Sequence, residues 1–160
     1  MQNIPIIPPG YASVAPWIIG KDTVRLMSFL SEAFDAEDLG SFQNPDGSIG
    51  HAEMRIGNTI ILMFDMRDWP PTPAFLRLFV EDAEELFKRA VAAGAQPITQ
   101  VTHLAFGDKV GRVRDPYGNV WWLQQRVENV SDEEIGQRWS DPKWSTAMDY
   151  LQTSLRKLYQ

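Results

Sequence analysis

The sequence predicts an α+β fold: two βαβββ repeats forming one curved mixed sheet around a cavity, plus a C-terminal helical tail. Three observations predict it. The order strand, helix, three strands reads twice along the chain. The two copies align at a spacing of about 60 residues: Asp22 falls on Asp82, Leu26-Met27 on Leu86-Phe87, and Gly57-Asn58-Thr59-Ile60-Ile61-Leu62 on Gly118-Asn119-Val120-Trp121-Trp122-Leu123. Each copy alone is too small to bury its sheet, whereas 160 residues at 44% hydrophobic can bury a proper core. The boundaries read as residues 11–66 and 74–127 for the repeats and 128–160 for the tail, together one domain.

The elements follow in order. Ser13 to Ile19 is a short apolar run with Pro16 inside it, which reads as an edge strand. Asp22 offers an N-cap, and Val24, Leu26, Met27, Leu30 and Phe34 follow at helical spacing. Asn44-Pro45-Asp46-Gly47 is a turn. His51 to Ile56 alternates with period 2, Gly57-Asn58 turns the chain, and Thr59 to Phe64 is a strongly apolar strand. Arg67 to Pro73, with Trp69-Pro70-Pro71 and Pro73, is a stiff linker. Phe75 to Val80 opens the second copy as a strand. Asp82 caps a helix carrying Leu86, Phe87, Ala90 and Val91, and Gly94 ends it. Pro97 to Phe106 and Lys109 to Arg114 are strands, Asp115-Pro116-Tyr117-Gly118-Asn119 is a turn, and Val120 to Gln125 is the last strand. From Asn129 onward the chain reads as two helices broken near Asp141-Pro142. Trp139, Trp144, Tyr150, Leu151, Leu155, Leu158 and Tyr159 make this tail too apolar to hang free.

Composition narrows the function classes. With 15 Lys and Arg against 21 Asp and Glu, the net charge of -6 argues against a nucleic-acid groove or an anionic membrane surface. No cysteine is present, which excludes a thiolate metal site, an iron–sulfur cluster and a cysteine nucleophile. Only His51 and His103 remain, so a three-histidine site is excluded. The segment Met1 to Pro9 is short, broken by prolines and without a basic start, so no signal peptide is expected. No apolar run approaches the length of a membrane span. A cytoplasmic protein is expected.

Several strings resemble one family. Phe29-Leu30-Ser31-Glu32-Ala33-Phe34, His51-Ala52-Glu53-Met54-Arg55-Ile56-Gly57, Phe106-Gly107-Asp108-Lys109, Arg114 to Trp122 and Val127-Glu128-Asn129-Val130-Ser131 are similar to motifs of the vicinal oxygen chelate superfamily. That superfamily includes glyoxalase I, the bleomycin-resistance proteins and the extradiol dioxygenases; the nearest flavour is the PhnB-like or generic glyoxalase-like group. The resemblance covers about residues 11–135 and is specific for fold rather than reaction. In metal-dependent members it implies a His or Glu on the first and last strands of each repeat. Those positions fall near Ala15, Ile61, Phe75 and Trp122, and their neighbours are apolar too. A conventional metal site is therefore not expected, no cofactor is expected, and metal-dependent lyase or dioxygenase chemistry is disfavoured.

With Phe75 at a ligand position, strand alternation turns Phe75, Arg77 and Phe79 to the cavity and Leu76, Leu78 and Val80 to the helix. The matching sets are Ala15, Trp17 and Ile19; Ile61 and Met63 with Trp122 and Gln124; His51, Glu53 and Arg55; and Arg112 with Arg114. The expected ligand-binding residues are Trp17, Met63, Phe75, Arg77, Phe79, Arg112, Trp122 and Gln124. Arg77 either pairs with Glu53 or another acid, or meets a ligand. His51 and Glu53 either work as an acid–base pair or serve sheet or dimer contacts, so His51, Glu53 and Arg77 are the catalytic candidates. His103 reads as a solvated edge residue. Trp17, Phe75 and Trp122 either stack on a planar ligand or simply fill the cavity. The expected function is binding of a small planar or anionic molecule in a metal-free aromatic pocket, of sequestration or resistance type. Open alternatives are a glyoxalase-like isomerase or lyase using polar residues of the concave face, and a non-catalytic structural or regulatory module. Homodimers are common in this fold, so a homodimer is expected.

Overall fold

The computed structural model describes residues 5–70 and 72–159, with the side chain of Tyr159 excepted. The first residues of the N-terminal segment, Pro71 of the linker, the Tyr159 side chain and Gln160 lie outside the described residues. The chain forms two compact units, Met1–Ala74 and Phe75–Gln160. The first runs β1 (Trp17–Gly20), α1 (Thr23–Phe34), β2 (Glu37–Gln43), β3 (Ile49–Ile56) and β4 (Thr59–Asp65). The second runs β5 (Phe75–Phe79), α2 (Ala83–Ala92), β6 (Gln96–His103), β7 (Asp108–Arg114), β8 (Val120–Arg126), α3 (Asp132–Arg138) and α4 (Pro142–Arg156). The βαβββ duplication is present, and each copy forms its own four-stranded sheet, ordered β1-β4-β3-β2 and β5-β8-β7-β6. In both, the first strand lies parallel to the last and the other pairs are antiparallel. A parallel pair needs a crossover connection, which α1 and α2 begin.

Local chemistry starts each helix where the sequence places it. Asp22 accepts from the Arg25 amide, and Leu26, Phe29, Leu30, Ala33 and Phe34 form the buried stripe of α1. Asp82 accepts from the Glu84 and Glu85 amides, and Gly94 follows α2 at φ 107°, a left-handed conformation natural only to glycine. Ser131 and Asp141 cap α3 and α4, and Pro142 fills the first turn of α4.

A second clip repeats in both units. The Asp65 carboxylate, at the end of β4, accepts from the Thr23 amide at 2.9 Å and the Thr23 hydroxyl at 2.7 Å. The Gln125 side-chain carbonyl, on β8, accepts from the Ala83 amide at 3.2 Å. Each last strand thus holds the first turn of its own helix. Thr23 and Ala83 are 60 residues apart, and so are Asp65 and Gln125.

That spacing corrects one sequence expectation. The Gly-Asn strings, Gly57-Asn58 and Gly118-Asn119, are 61 residues apart, because two residues join β3 to β4 and five join β7 to β8. Aligning the strands on those strings slips the register by one, and a one-residue slip moves every side chain to the other face. Met63 and Ile61 pair with Ala52 and Met54 and are buried on the α1 side. Met63 therefore does not share the face of Trp17; Leu62, which pairs with both Trp17 and Glu53, does. The strand β2 is the first of the three strands expected after the helix, and the sequence pattern assigns no residues to it. It is an edge strand with a bulge between Asp38 and Gly40, and six of its seven residues are exposed, so it has no apolar alternation to reveal it.

The tail is part of the second unit. Leu151 of α4 packs with Leu104 and Val110, flanked by Phe106, Trp122, Ala147 and Met148. Tyr150 accepts from the Gln100 amide at 2.9 Å, and the Ser154 and Thr99 hydroxyls meet at 2.6 Å. Just before it, Gly107 at φ 88° accepts from the Val127 and Glu128 amides, and a side chain there would sit 2.7 Å from the Glu128 carbonyl.

The most heavily bonded buried carboxylate holds the last turn. Asp115 accepts from the Tyr117 and Asn119 amides, the Asn119 side chain and the Trp121 indole at 2.8–2.9 Å, and it is 3% exposed. Asp115→Ala should lower stability in urea by about 2–4 kcal/mol, because it strands several buried donors. A loss under about 1 kcal/mol would show that the turn does not depend on this carboxylate.

Candidate functional site

Apart from Met63, the candidate residues occupy the sheet faces opposite α1 and α2. In the second unit, α2 covers one face: a Cβ on Gly111 would touch Phe87, and Lys109 pairs with Glu84. The opposite face is a grid set by strand register. One row runs Thr99, Arg112, Trp122, Arg77, and the next runs Thr102, Val110, Gln124, Phe79. The alternation expected for β5 holds, with Phe75, Arg77 and Phe79 exposed and Leu76 and Leu78 partly covered.

The tail divides this face. On its β6–β7 side, α4 lies over Val110 and Arg112. On its β5–β8 side the face is open: Phe75 is 49% exposed and Phe79 66%. There Phe79, Val80, Glu81, Gln124 and Arg126 line a shallow depression. Trp122 marks the boundary. The Arg112 guanidinium carbon sits 3.7 Å from its ring centroid, and that of Arg77 sits 4.8 Å away. Each cation is attracted by the indole quadrupole, while the two repel each other.

The two arginines differ sharply. Arg112 is 2% exposed and donates to the Thr99 hydroxyl at 3.2 Å and to the Leu151 carbonyl of α4 at 2.5 Å. Burial first, and Arg77 second, push its guanidinium down to about 10. It fastens α4 to the sheet and does not line the open surface. Arg77 is exposed and, among the described residues, makes no ion pair; its recorded partner is the Trp122 ring. Gln124 is buried, and its amide donates to Asp108.

The corresponding face of the first unit holds the other candidates. Glu53 lies 2.9 Å from His51 Nε2 and beside the Tyr11 hydroxyl. Trp17, 48% exposed, meets His51 edge-on at 5.8 Å and Phe64 at 5.3 Å. The structure brings His51 and Glu53 together and adds Tyr11, which the sequence did not single out because nothing local links it to β3. His103 also differs from expectation. It tucks against Trp144 at 5.1 Å and lies 3.2 Å from Glu128, covered by the tail rather than solvated at an edge.

The donor chemistry does not fit a divalent cation. Among the described residues, no three His, Asp or Glu side chains gather. The row that joins the first and last strands reads Trp17–Leu62 in one unit and Arg77–Trp122 in the other. No helix among the described residues is long and apolar enough to cross a membrane.

Residues 11–123 match the family described as Glyoxalase/Bleomycin resistance protein/Dioxygenase superfamily. The chain is 35% identical over 135 residues to the uncharacterized protein Mb0911c of Mycobacterium bovis, covering 77% of this chain and 89% of that one. A PhnB protein of Bacillus cereus is similar in fold, with a TM-score of 0.59 at 19% identity, covering 71% of this chain and 99% of that one. So is the fosfomycin resistance protein FosX of Listeria monocytogenes, whose structure is complexed with Mn(II) and sulfate. Its TM-score is 0.57 at 17% identity, covering 77% of this chain and 95% of that one.

The Glu53 cluster makes a pH prediction. The hydrogen bond from Tyr11, then that from His51, hold the Glu53 carboxyl below its ordinary value of about 4.3. Its contribution is present above that value and lost as pH falls through the lowered folded value. Thermal melts between about pH 5 and pH 3 should therefore fall more steeply for the wild type than for Glu53→Gln. Superimposable profiles would show that Glu53 carries no such linkage.

Proposed function

Given that the chain belongs to the Glyoxalase/Bleomycin resistance protein/Dioxygenase superfamily, we propose that it binds a small planar anionic molecule, as a sequestration or resistance protein does. The ligand lies on the open part of the second sheet, against Phe75, Arg77, Phe79 and Trp122. One observation carries this reading: Arg77 is an exposed cation without an ion pair among the described residues, held over an indole between two exposed phenylalanines. An aromatic surface supplies apolar contact to a flat ring, and a guanidinium supplies a planar donor pair to a carboxylate. The reading invokes no metal, since no three His, Asp or Glu side chains gather among the described residues.

A second reading rests on the first unit. Glu53, bonded to both Tyr11 and His51, has the form of an oriented acid–base group beside an exposed indole. In an enzyme, His51 would exchange the proton and Glu53 would orient the ring.

Calorimetric titration with 1-naphthoate tests the binding reading. The wild type should bind it, and should bind the cation 1-naphthylmethylamine far more weakly. Arg77→Ala should weaken naphthoate by about tenfold or more, the size of a lost charge-assisted hydrogen bond. Dialysis against EDTA should leave the affinity unchanged. Stoichiometric Zn, Ni, Mn or Fe in the mildly purified protein, or equal binding of the cation and the anion, would overturn it.

A further inference from the structure

Arg112 is an anomaly by elementary electrostatics. Buried charges are nearly always paired, because leaving water costs several kcal/mol per ion and an opposite charge offsets it. Arg112 is 2% exposed, and no carboxylate lies within ion-pair distance of it among the described residues. Its hydrogen bonds go to a hydroxyl and a backbone carbonyl, both neutral. A second cation, Arg77, stands on the same indole and raises the local positive charge further. Asp108, four residues away on the same strand, is engaged by Gln124 and Arg126.

The same spot holds two orphaned donors. Arg112 Nε and Trp122 Nε1 are both buried and have no hydrogen-bond partner among the described residues. Each such donor gives up its water without gaining a partner, and native structures seldom keep two in neighbouring side chains without a use for them. The Arg112 guanidinium carbon sits 3.7 Å from the Trp122 ring centroid, so the two orphaned donors belong to side chains in direct contact. That contact is where the covered part of the face meets the open part.

We infer that this contact is a carboxylate subsite: one oxygen of a ligand's carboxylate accepts from Arg112 Nε and the other from Trp122 Nε1, beneath the edge of α4. This rests on the binding reading and adds to it the ligand's acidic group and that group's seat. Arg77, on the open side, draws the anion in. Arg112 receives it where little water competes, so its hydrogen bond counts for more than one made by Arg77 at the surface. The anion supplies the counter-charge that the fold itself leaves out.

The test uses the full chain with 1-naphthoate as probe, read by calorimetry and by the indole and arginine Nε cross-peaks in proton–nitrogen NMR. The Trp122 resonance is identified by its loss in Trp122→Phe, a variant that keeps a ring beneath the guanidinium but removes the N–H. On titration the Trp122 indole and Arg112 Nε protons should move downfield and saturate at the calorimetric affinity. Trp122→Phe should bind about tenfold more weakly with an unchanged far-UV spectrum, and 1-naphthamide, neutral, should bind more weakly still. Should Arg112→Lys loosen α4, the indole shift in the wild type still decides the matter. If Arg77→Ala weakens binding while Trp122→Phe binds like the wild type and the indole resonance stays still, the subsite is overturned and the binding reading stands. If the wild type does not bind naphthoate, both fall.

Discussion

The two units depend on one kind of contact, the side chain at the end of the last strand that holds the first amide of the helix. Asp65 grips Thr23, and Gln125 grips Ala83. A strand paired in parallel with the strand three strands later leaves a long crossover to be placed, and its freedom would otherwise be large. The clip fixes where that crossover begins. It also fixes the register of the last strand, since only one parity of that strand can present its end residue to the helix. From that parity follows which face packs on the helix and which is left for other uses. Asp65 adds a third bond, to the Ile49 amide, so β3 is tied to the same point.

Much of this was legible in the sequence, for reasons that differ element by element. Asp82, Gly94, Ser131 and the Asp141-Pro142 pair announce helix ends by their own backbone chemistry, and the helices begin and end beside them. The β5 alternation is local too, so Phe75, Arg77 and Phe79 share a face as expected. What depends on register was not legible: a repeat matched on its turns carried Met63 to the wrong side, because turn length and strand parity are independent. What depends on a distant partner was not legible either. Tyr11 reaches Glu53 from far along the chain, and Arg112 reads as a surface-facing cation until α4 is laid over it. The strand β2 escaped notice because a solvated edge needs no apolar pattern.

The net charge of -6 and the cationic character of the candidate face are compatible because they act at different ranges. At physiological ionic strength, charges further apart than about 8 Å are largely screened. A small anion near Trp122 is governed by Arg77 and Arg112 and little by the acidic residues elsewhere. Net charge therefore bears on polyanions, which sample the whole surface, and not on a single carboxylate. The abundant aromatics divide in the same way. Trp121 and Phe87 are core, Trp144 anchors the tail, and Trp122 is the partition between a covered and an open surface.

The bond between Arg112 and the Leu151 carbonyl has a mechanical meaning. It joins the sheet to the backbone of a helix, where most contacts under α4 join it only through side chains that can rotate past one another. Ser154 donates to the same carbonyl at 3.1 Å, so the attachment point is braced from within the helix. A guanidinium held this way cannot shift without pulling a rigid rod, and the rod cannot tilt without dragging the guanidinium across the indole. One guanidinium thus touches both the indole of the sheet and the backbone of the helix that covers it.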